Sequence, residues 1–343
     1  MLYRVARPLL FQLDPEVAHG ATMRTLELAH RSGLQGLIAG SPPLSPRKVM
    51  GLDFPNPVGL AAGLDKNGEH VDALCALGFG FIEVGTVTPR PQPGNPVPRM
   101  FRLVQARAII NRMGFNNEGV ERLLANVARA QYRGILGINI GKNFDTPLER
   151  AAEDYVYCMR KVYMAASYIT INISSPNTAE LRQLQQAEEL ARLLGALTAE
   201  RSNLAALHGK RVPLAVKIAP DLTQADLSGM ATLFIEHGID AVIATNTTVS
   251  RKGVEGMRHA EQAGGLSGAP LRPRSTEIVA QLATALAGRI PIIASGGILS
   301  AADAREKIGA GASLVQLYSG LIYEGPALIK RTVGALARDA NQD

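Results

Sequence analysis

The chain has 343 residues, 46% of them hydrophobic, with a formal net charge of +6, two cysteines and no tryptophan. The length and apolar content suit one large core, and the mild basic excess leaves room for an anionic substrate, a phosphate-bearing cofactor or an acidic membrane surface. The lack of a basic run and of tryptophan for base stacking argues against nucleic acid, while Cys75 and Cys158, isolated in helical segments, argue against a disulfide framework or a zinc site and fit a reducing compartment.

Residues 1–48 read as two short helices and a proline-rich linker, GSPPLSPRK. Arg4, Arg7 and Pro8 interrupt the place where a secretory signal needs an unbroken apolar run. The segment holds six basic residues (Arg4, Arg7, Arg24, Arg31, Arg47, Lys48) against three acidic ones (Asp14, Glu16, Glu27). Between them run Leu9, Leu10, Phe11, Leu13, Val17, Met23, Leu26, Leu28, Leu34, Leu37 and Ile38. This mixture suits a helix pair lying on an anionic membrane, and also a helical cover whose leucines are ordinary core. No stretch of the chain approaches the apolar length that spans a bilayer.

From residue 57 a rhythm begins. Eight short apolar runs, at 57–63, 80–86, 134–141, 168–174, 213–219, 240–246, 291–297 and 313–319, alternate with segments of helical period such as GEHVDALCALG. Strands buried on both faces and alternating with helices predict a parallel sheet, and eight units predict closure into a (β/α)8 TIM barrel. An open doubly wound sheet is the alternative, disfavoured because no G-x-G-x-x-G follows the first run. Two long stretches break the rhythm: 87–117, and 247–269, a polar loop of the length expected for a lid. The domain expectation is a helical extension over 1–48 and a catalytic barrel over 49–343.

Barrel chemistry sits at the C-terminal strand ends. Those ends supply Lys66, Thr86, Asn139, Lys142, Asn172, Ser175, Lys217, Thr245, Asn246, Thr247, Ser295 and Ser319. Such a rim, rich in amides, hydroxyls and lysines and poor in acids, suits anions rather than a metal–carboxylate site or paired-carboxylate chemistry. The glycines of SGG (295–297) and YSG (318–320) let backbone N–H groups approach a phosphate after the seventh and eighth strands. Ser175, in INISSPNT (171–178), has no histidine or carboxylate beside it in sequence. His70, His208 and His237 fall away from the mouth, and only His259, in the lid stretch, is placed to approach it. A Ser-His-Asp nucleophile is therefore disfavoured. That leaves Ser174 and Ser175 as turn residues before Pro176, or Ser175 as a proton acceptor used in an enclosed site.

The strings NISSPNT (172–178), GTVTPRPQPGNPVPR (85–99), NRMGFNN (111–117), AAGLDKNG (61–68) and ASGGI (294–298) together resemble the dihydroorotate dehydrogenase family. The N-terminal extension and the serine at 175 resemble its quinone-dependent class 2. The resemblance implies oxidation of (S)-dihydroorotate to orotate in pyrimidine (UMP) biosynthesis. Ser175 would take the C5 proton while the C6 hydride goes to N5 of a non-covalent FMN. It implies substrate contacts from Lys66, Asn111, Arg112, Met113, Gly114, Phe115, Asn172, Asn177, Asn246 and Thr247. FMN contacts would come from Ala61, Ala62, Gly63, Lys66, Thr86, Asn139, Asn172, Lys217 and Thr245, with Gly268, Gly297, Tyr318 and Ser319 at the phosphate. His19, Arg102 and Tyr318 would meet a membrane quinone entering between the N-terminal helices. It also implies a monomer peripheral to the cytoplasmic face of the inner membrane. Two other functions compete: a Schiff-base aldolase with Lys217 as nucleophile, and a catalytically silent binding barrel.

Overall fold

The computed structural model describes residues 2–37, 40–178 and 180–339. The chain opens with α1 (Leu2–Leu10) and α2 (Pro15–Arg31). Asp14 starts α2: its carboxylate accepts from the N–H groups of Glu16 and Val17, and Pro15 occupies a position that needs no N–H. The two expected helices are thus present, while Ile38 and the side chain of Leu37 lie outside the described residues. A short hairpin follows, β1 (Arg47–Val49) and β2 (Leu52–Phe54), with Arg47 opposite Phe54.

The barrel then builds up as β3 (Val58–Leu60), α3 (Val71–Cys75) and β4 (Phe81–Val87). After β5 (Met100–Leu103) and β6 (Ala108–Asn111) come α4 (Val120–Arg129), β7 (Ile135–Ile140), α5 (Ala151–Val162) and β8 (Tyr168–Asn172). Next are α6 (Ala187–His208), β9 (Leu214–Ile218), α7 (Gln224–Glu236), β10 (Ala241–Ala244) and β11 (Gly265–Gly268). The chain continues through α8 (Arg272–Leu286), β12 (Ile292–Ser295), α9 (Ala301–Gly309) and β13 (Leu314–Leu317). It ends with α10 (Ser319–Glu324) and α11 (Ala327–Asp339). Each of the eight apolar runs forms one barrel strand. The order is β3-β4-β7-β8-β9-β10-β12-β13, and β13 closes on β3 with Val315 paired to Val58.

Aromatic rings fill the lower barrel. Phe54 of the hairpin stands edge-on to Phe81, 5.1 Å between centroids, and Phe81 meets Tyr168 at 6.4 Å. Glycines on neighbouring strands make the room. A Cβ on Gly59 would lie 2.3 Å from the Phe81 ring, and one on Gly137 would lie 2.2 Å from Tyr168. The hairpin thereby caps the barrel at the end opposite the strand C-termini.

The two interruptions of the rhythm meet above the mouth. β5 and β6, from 87–117, pair antiparallel, and β11 adds to β6 with Gly265 opposite Asn111. The 247–269 stretch is therefore not wholly the polar loop expected from sequence. Its last residues, GLSG, lack a strand's alternation, and their partner lies about 150 residues earlier in the chain.

Candidate active site

Glu83, wholly buried in β4, sets the interior of the site. Its Oε1 accepts from Asn139 Nδ2 at 2.7 Å, and its Oε2 accepts from Tyr168 Oη at 2.9 Å and Gln316 Nε2 at 2.8 Å. A carboxylate only accepts, so Asn139 must turn its NH2 to Glu83 and its oxygen upward. That oxygen receives Thr86 Oγ1 at 2.6 Å and Asn172 Nδ2 at 3.2 Å. Asn172 in turn must offer its own oxygen to the next layer, where Ser174 Oγ donates to it at 3.0 Å. Asn246 Nδ2 donates to Ser174 Oγ at 3.0 Å. One acidic group thus orients five polar side chains from the barrel interior to its mouth.

Above them opens a cleft of about 970 Å³, part of it open to solvent. Lys66, Asn111, Met113, Gly114, Phe115, Asn172, Asn177, Asn246 and Thr247 line it, and Ser175 stands among them. Ala61, Ala62, Gly63, Thr86, Lys217, Thr245, Gly268, Gly297, Tyr318 and Ser319 also contribute to its wall. Ser175 Oγ accepts from the Asn177 N–H at 3.2 Å, and no histidine lines the cleft. Burial pushes the Lys66 ammonium down to about 8, reinforced by Arg99 and opposed by Glu16 and Asp65. Burial also lowers Lys217, while the charge of Glu83 opposes it.

Four residues lie elsewhere than sequence reasoning placed them. Asn139 is behind the wall, its amide committed to Glu83, Thr86 and Asn172. Arg112 turns outward, donating to Gln262 Oε1 and Pro98 O at 2.9 Å each, with its guanidinium over the Phe101 ring. His259 packs 5.3 Å from the same ring, outside the cleft. Lys142 leaves the rim and donates to Thr146 O at 2.9 Å, bracing its own loop. Three residues went unread. Glu83 and Gln316 point inward from strands that read as apolar. Arg182 donates to Ser174 O at 3.1 Å and Thr247 O at 2.9 Å, clamping the two loops that carry the polar rim, with no local signal to mark it.

The cleft fits a flat, polar cofactor bearing a phosphate. Gln316 Oε1 is buried without a donor. Among the described residues the N–H groups of Gly296, Gly297 and Ile298 meet no protein acceptor. A Cβ on Gly297 would lie 2.4 Å from the Arg272 backbone, and one on Gly268 would lie 2.2 Å from Arg107 O, so only glycine lets these loops close in.

A second, apolar cavity of about 870 Å³ lies between α1, α2 and the barrel. Phe11, Met23, Leu26, Met100 and Ile109 line it, and His19, Arg102 and Tyr318 meet in its wall. Tyr318 also lines the cleft, so the two spaces share this residue. Burial, with Lys66 and His70, pushes His19 down to about 4 against the pull of Glu16. Burial also pushes Tyr318 up to about 12. The extension is tied down by polar contacts. Arg99 pairs with both oxygens of Glu16 at 2.9 and 3.1 Å, Arg7 donates to Tyr323 O at 2.7 Å, and Arg102 donates to Leu13 O at 2.9 Å.

Fold and cleft together have the form of a barrel enzyme with a polar, lysine-bearing cleft at the strand C-termini. Comparison with known proteins narrows the class. The family model described as Dihydroorotate dehydrogenase matches residues 45–338. A relative named dihydroorotate dehydrogenase (quinone), from Nitrosospira multiformis, is 64% identical over 96% of this chain and 94% of its own. Another of that name, from Pseudomonas fluorescens, is 62% identical over 98% and 99%. The crystal structure of DHODH from Eimeria tenella in complex with ferulenol superposes with a TM-score of 0.87 at 40% identity, covering 96% of this chain and 92% of that one. The chain belongs to the dihydroorotate dehydrogenase family, a family of flavin-dependent oxidoreductases.

Glu83→Leu should destabilise the protein by about 3–5 kcal/mol, because Lys217 and three donors lose their buried partner. Glu83→Gln, which keeps one acceptor oxygen, should cost less. Urea denaturation checks this, and an unchanged midpoint for Glu83→Leu would contradict the role given to Glu83.

Proposed function

We propose that this chain oxidises (S)-dihydroorotate to orotate on a bound FMN and passes the electrons to a membrane quinone, a step of pyrimidine biosynthesis. The observation that carries this is the sharing of Tyr318 by a polar cleft and an apolar cavity. Such an arrangement suits a two-substrate flavin enzyme: a place for a polar donor, a place for an apolar acceptor, and a residue common to both.

When bound, FMN supplies the acceptor for the C6 hydride. The chain's own residues do the rest. Asn111, Asn172, Asn177 and Asn246 present donor and acceptor edges to a flat, amide-rich ring, and Lys66 offsets its carboxylate. Ser175 takes the C5 proton. Its hydroxyl is a weak base in water, so it works here because Ser175 is itself buried and the proton leaves along hydrogen bonds as the hydride departs. Lys217, whose charged form the nearby Glu83 favours, offsets negative charge on the reduced ring instead of acting as an aldolase nucleophile. The glycine loops at 268, 297 and 318–320 take the phosphate.

The apolar cavity is the proposed quinone path, with His19, Arg102 and Tyr318 at its head. The leucines of the extension divide between two tasks. Leu10, Phe11, Met23 and Leu26 line the cavity, whereas Val5, Leu9, Leu13, Val17 and Leu34 are exposed, at 73%, 66%, 44%, 59% and 55%. Such exposed apolar residues beside Arg4, Arg24 and Arg31 suit an anionic membrane surface. No helix among the described residues is long and apolar enough to cross a membrane. The proposal is a peripheral monomer on the cytoplasmic face of the inner membrane, with residues 1–48 as the quinone- and membrane-facing part of an otherwise catalytic barrel.

Ser175→Ala should retain FMN and bind orotate, yet lose flavin reduction by dihydroorotate by at least ~10²-fold, a usual general-base contribution. Stopped-flow reduction at a near-normal rate would remove Ser175 from the role. Deleting residues 1–40 should abolish quinone reduction and liposome binding while dihydroorotate still bleaches the flavin. A folded truncation that reduces quinone at full rate would refute the path, and one that still binds liposomes would refute the membrane contact.

A further inference from the structure

Behind the phosphate loop lies a buried cation that the proposed reaction does not use. Lys307, on α9, is wholly buried. Its ammonium donates to Thr276 Oγ1 at 2.7 Å, to Arg272 O at 3.1 Å and to Ser275 Oγ. All three donors are spent on neutral oxygens. The two nearby carboxylates, Asp303 and Glu306, are turned to Arg272 of α8. A buried ammonium without an ion partner is costly.

The hydrogen-bond chain leads to the phosphate loop. Ser275 Oγ carries a single hydrogen, and the nearer of its two acceptors is Gly296 O at 2.9 Å; the other, Arg272 O at 3.1 Å, already receives Lys307. The Gly296 carbonyl and the Gly297 N–H belong to the same peptide unit. Charge drawn toward the carbonyl oxygen leaves that N–H more positive and a stronger donor. Gly297 lines the cleft, and its N–H meets no protein acceptor among the described residues.

We propose that Lys307 is a positioning residue for the cofactor phosphate, acting through Ser275 to hold and polarise the Gly296–Gly297 peptide. The inference rests on the FMN reading above. The phosphate is thus met by a neutral amide that carries part of the effect of a charge kept out of water.

Burial, with a smaller contribution from Arg272, pushes the Lys307 ammonium down to about 7 against Glu306 and Asp303. A bound phosphate favours the protonated form and raises that value. The Lys307 contribution to FMN affinity is therefore fully present below about pH 7 and declines as pH rises above it, in a range where the phosphate is already doubly charged.

The test is equilibrium dialysis of the full chain against FMN and against riboflavin, which lacks the phosphate, with folding followed by circular dichroism. Wild-type protein that binds neither flavin would refute the FMN reading itself. Given wild-type binding, Lys307→Met should weaken FMN by about tenfold or more and riboflavin by less than about twofold. Lys307→Gln, a neutral donor of similar reach, should not restore FMN. Ser275→Ala, which cuts the chain further along and keeps Lys307, should show the same selective loss, and the double variant should be no worse than either single one. If Lys307→Met does not fold, Ser275→Ala and the wild-type pH profile decide. Four results would each overturn the role: equal loss of both flavins, rescue by glutamine, an unaffected Ser275→Ala, or a wild-type FMN-to-riboflavin ratio that is flat above pH 7.

Discussion

The site depends on a carboxylate buried inside the barrel. Glu83 can only accept hydrogen bonds, and this forces the orientation of each polar group above it: Asn139 toward Thr86 and Asn172, then Asn172 toward Ser174. An asparagine at a strand end has two amide faces and no intrinsic preference between them. Here the choice is made below the site and passed upward. The same group balances Lys217, so one buried acid accounts for both the order of the amides and the tolerance of a lysine beneath the cleft.

The barrel solves a second problem by sharing Tyr318 between two unlike spaces. A polar anion and an apolar acceptor cannot share one pocket without either desolvating charge or wetting hydrocarbon. Two cavities with a common wall avoid that conflict. The extension supplies the second cavity, and it is held to the barrel by arginines: Arg7 and Arg102 reach backbone carbonyls, and Arg99 pairs with Glu16. These contacts leave the apolar side chains of α1 and α2 free to line the space or face outward.

The eight strands were legible because a strand buried on both faces is an uninterrupted apolar run, and that signal is local. The polar rim was legible for a similar reason: residues just past each run must lie at one end of the barrel. What remained hidden was non-local. β11 exists only because β6 pairs with it from far back in the chain, and GLSG carries no pattern of its own. Arg112 sits within a run of cleft residues but turns outward, since Pro98, Gln262 and the Phe101 ring offer a guanidinium more than the cleft does. Asn139 and Lys142 sit at a strand end, and their side chains bond to neighbours, Asn139 to Glu83, Thr86 and Asn172 and Lys142 to Thr146. The weight of Glu83 and Lys307 comes from burial, which sequence spacing does not encode.

The central claim is that one chain couples a polar donor in the cleft to an apolar acceptor in the second cavity through a bound flavin. Its most direct test is the visible absorbance of the purified full-length protein under anaerobic conditions. The account predicts a flavin spectrum that bleaches on addition of dihydroorotate and recovers on addition of a quinone. A colourless protein, or a flavin that dihydroorotate leaves oxidised, would contradict it.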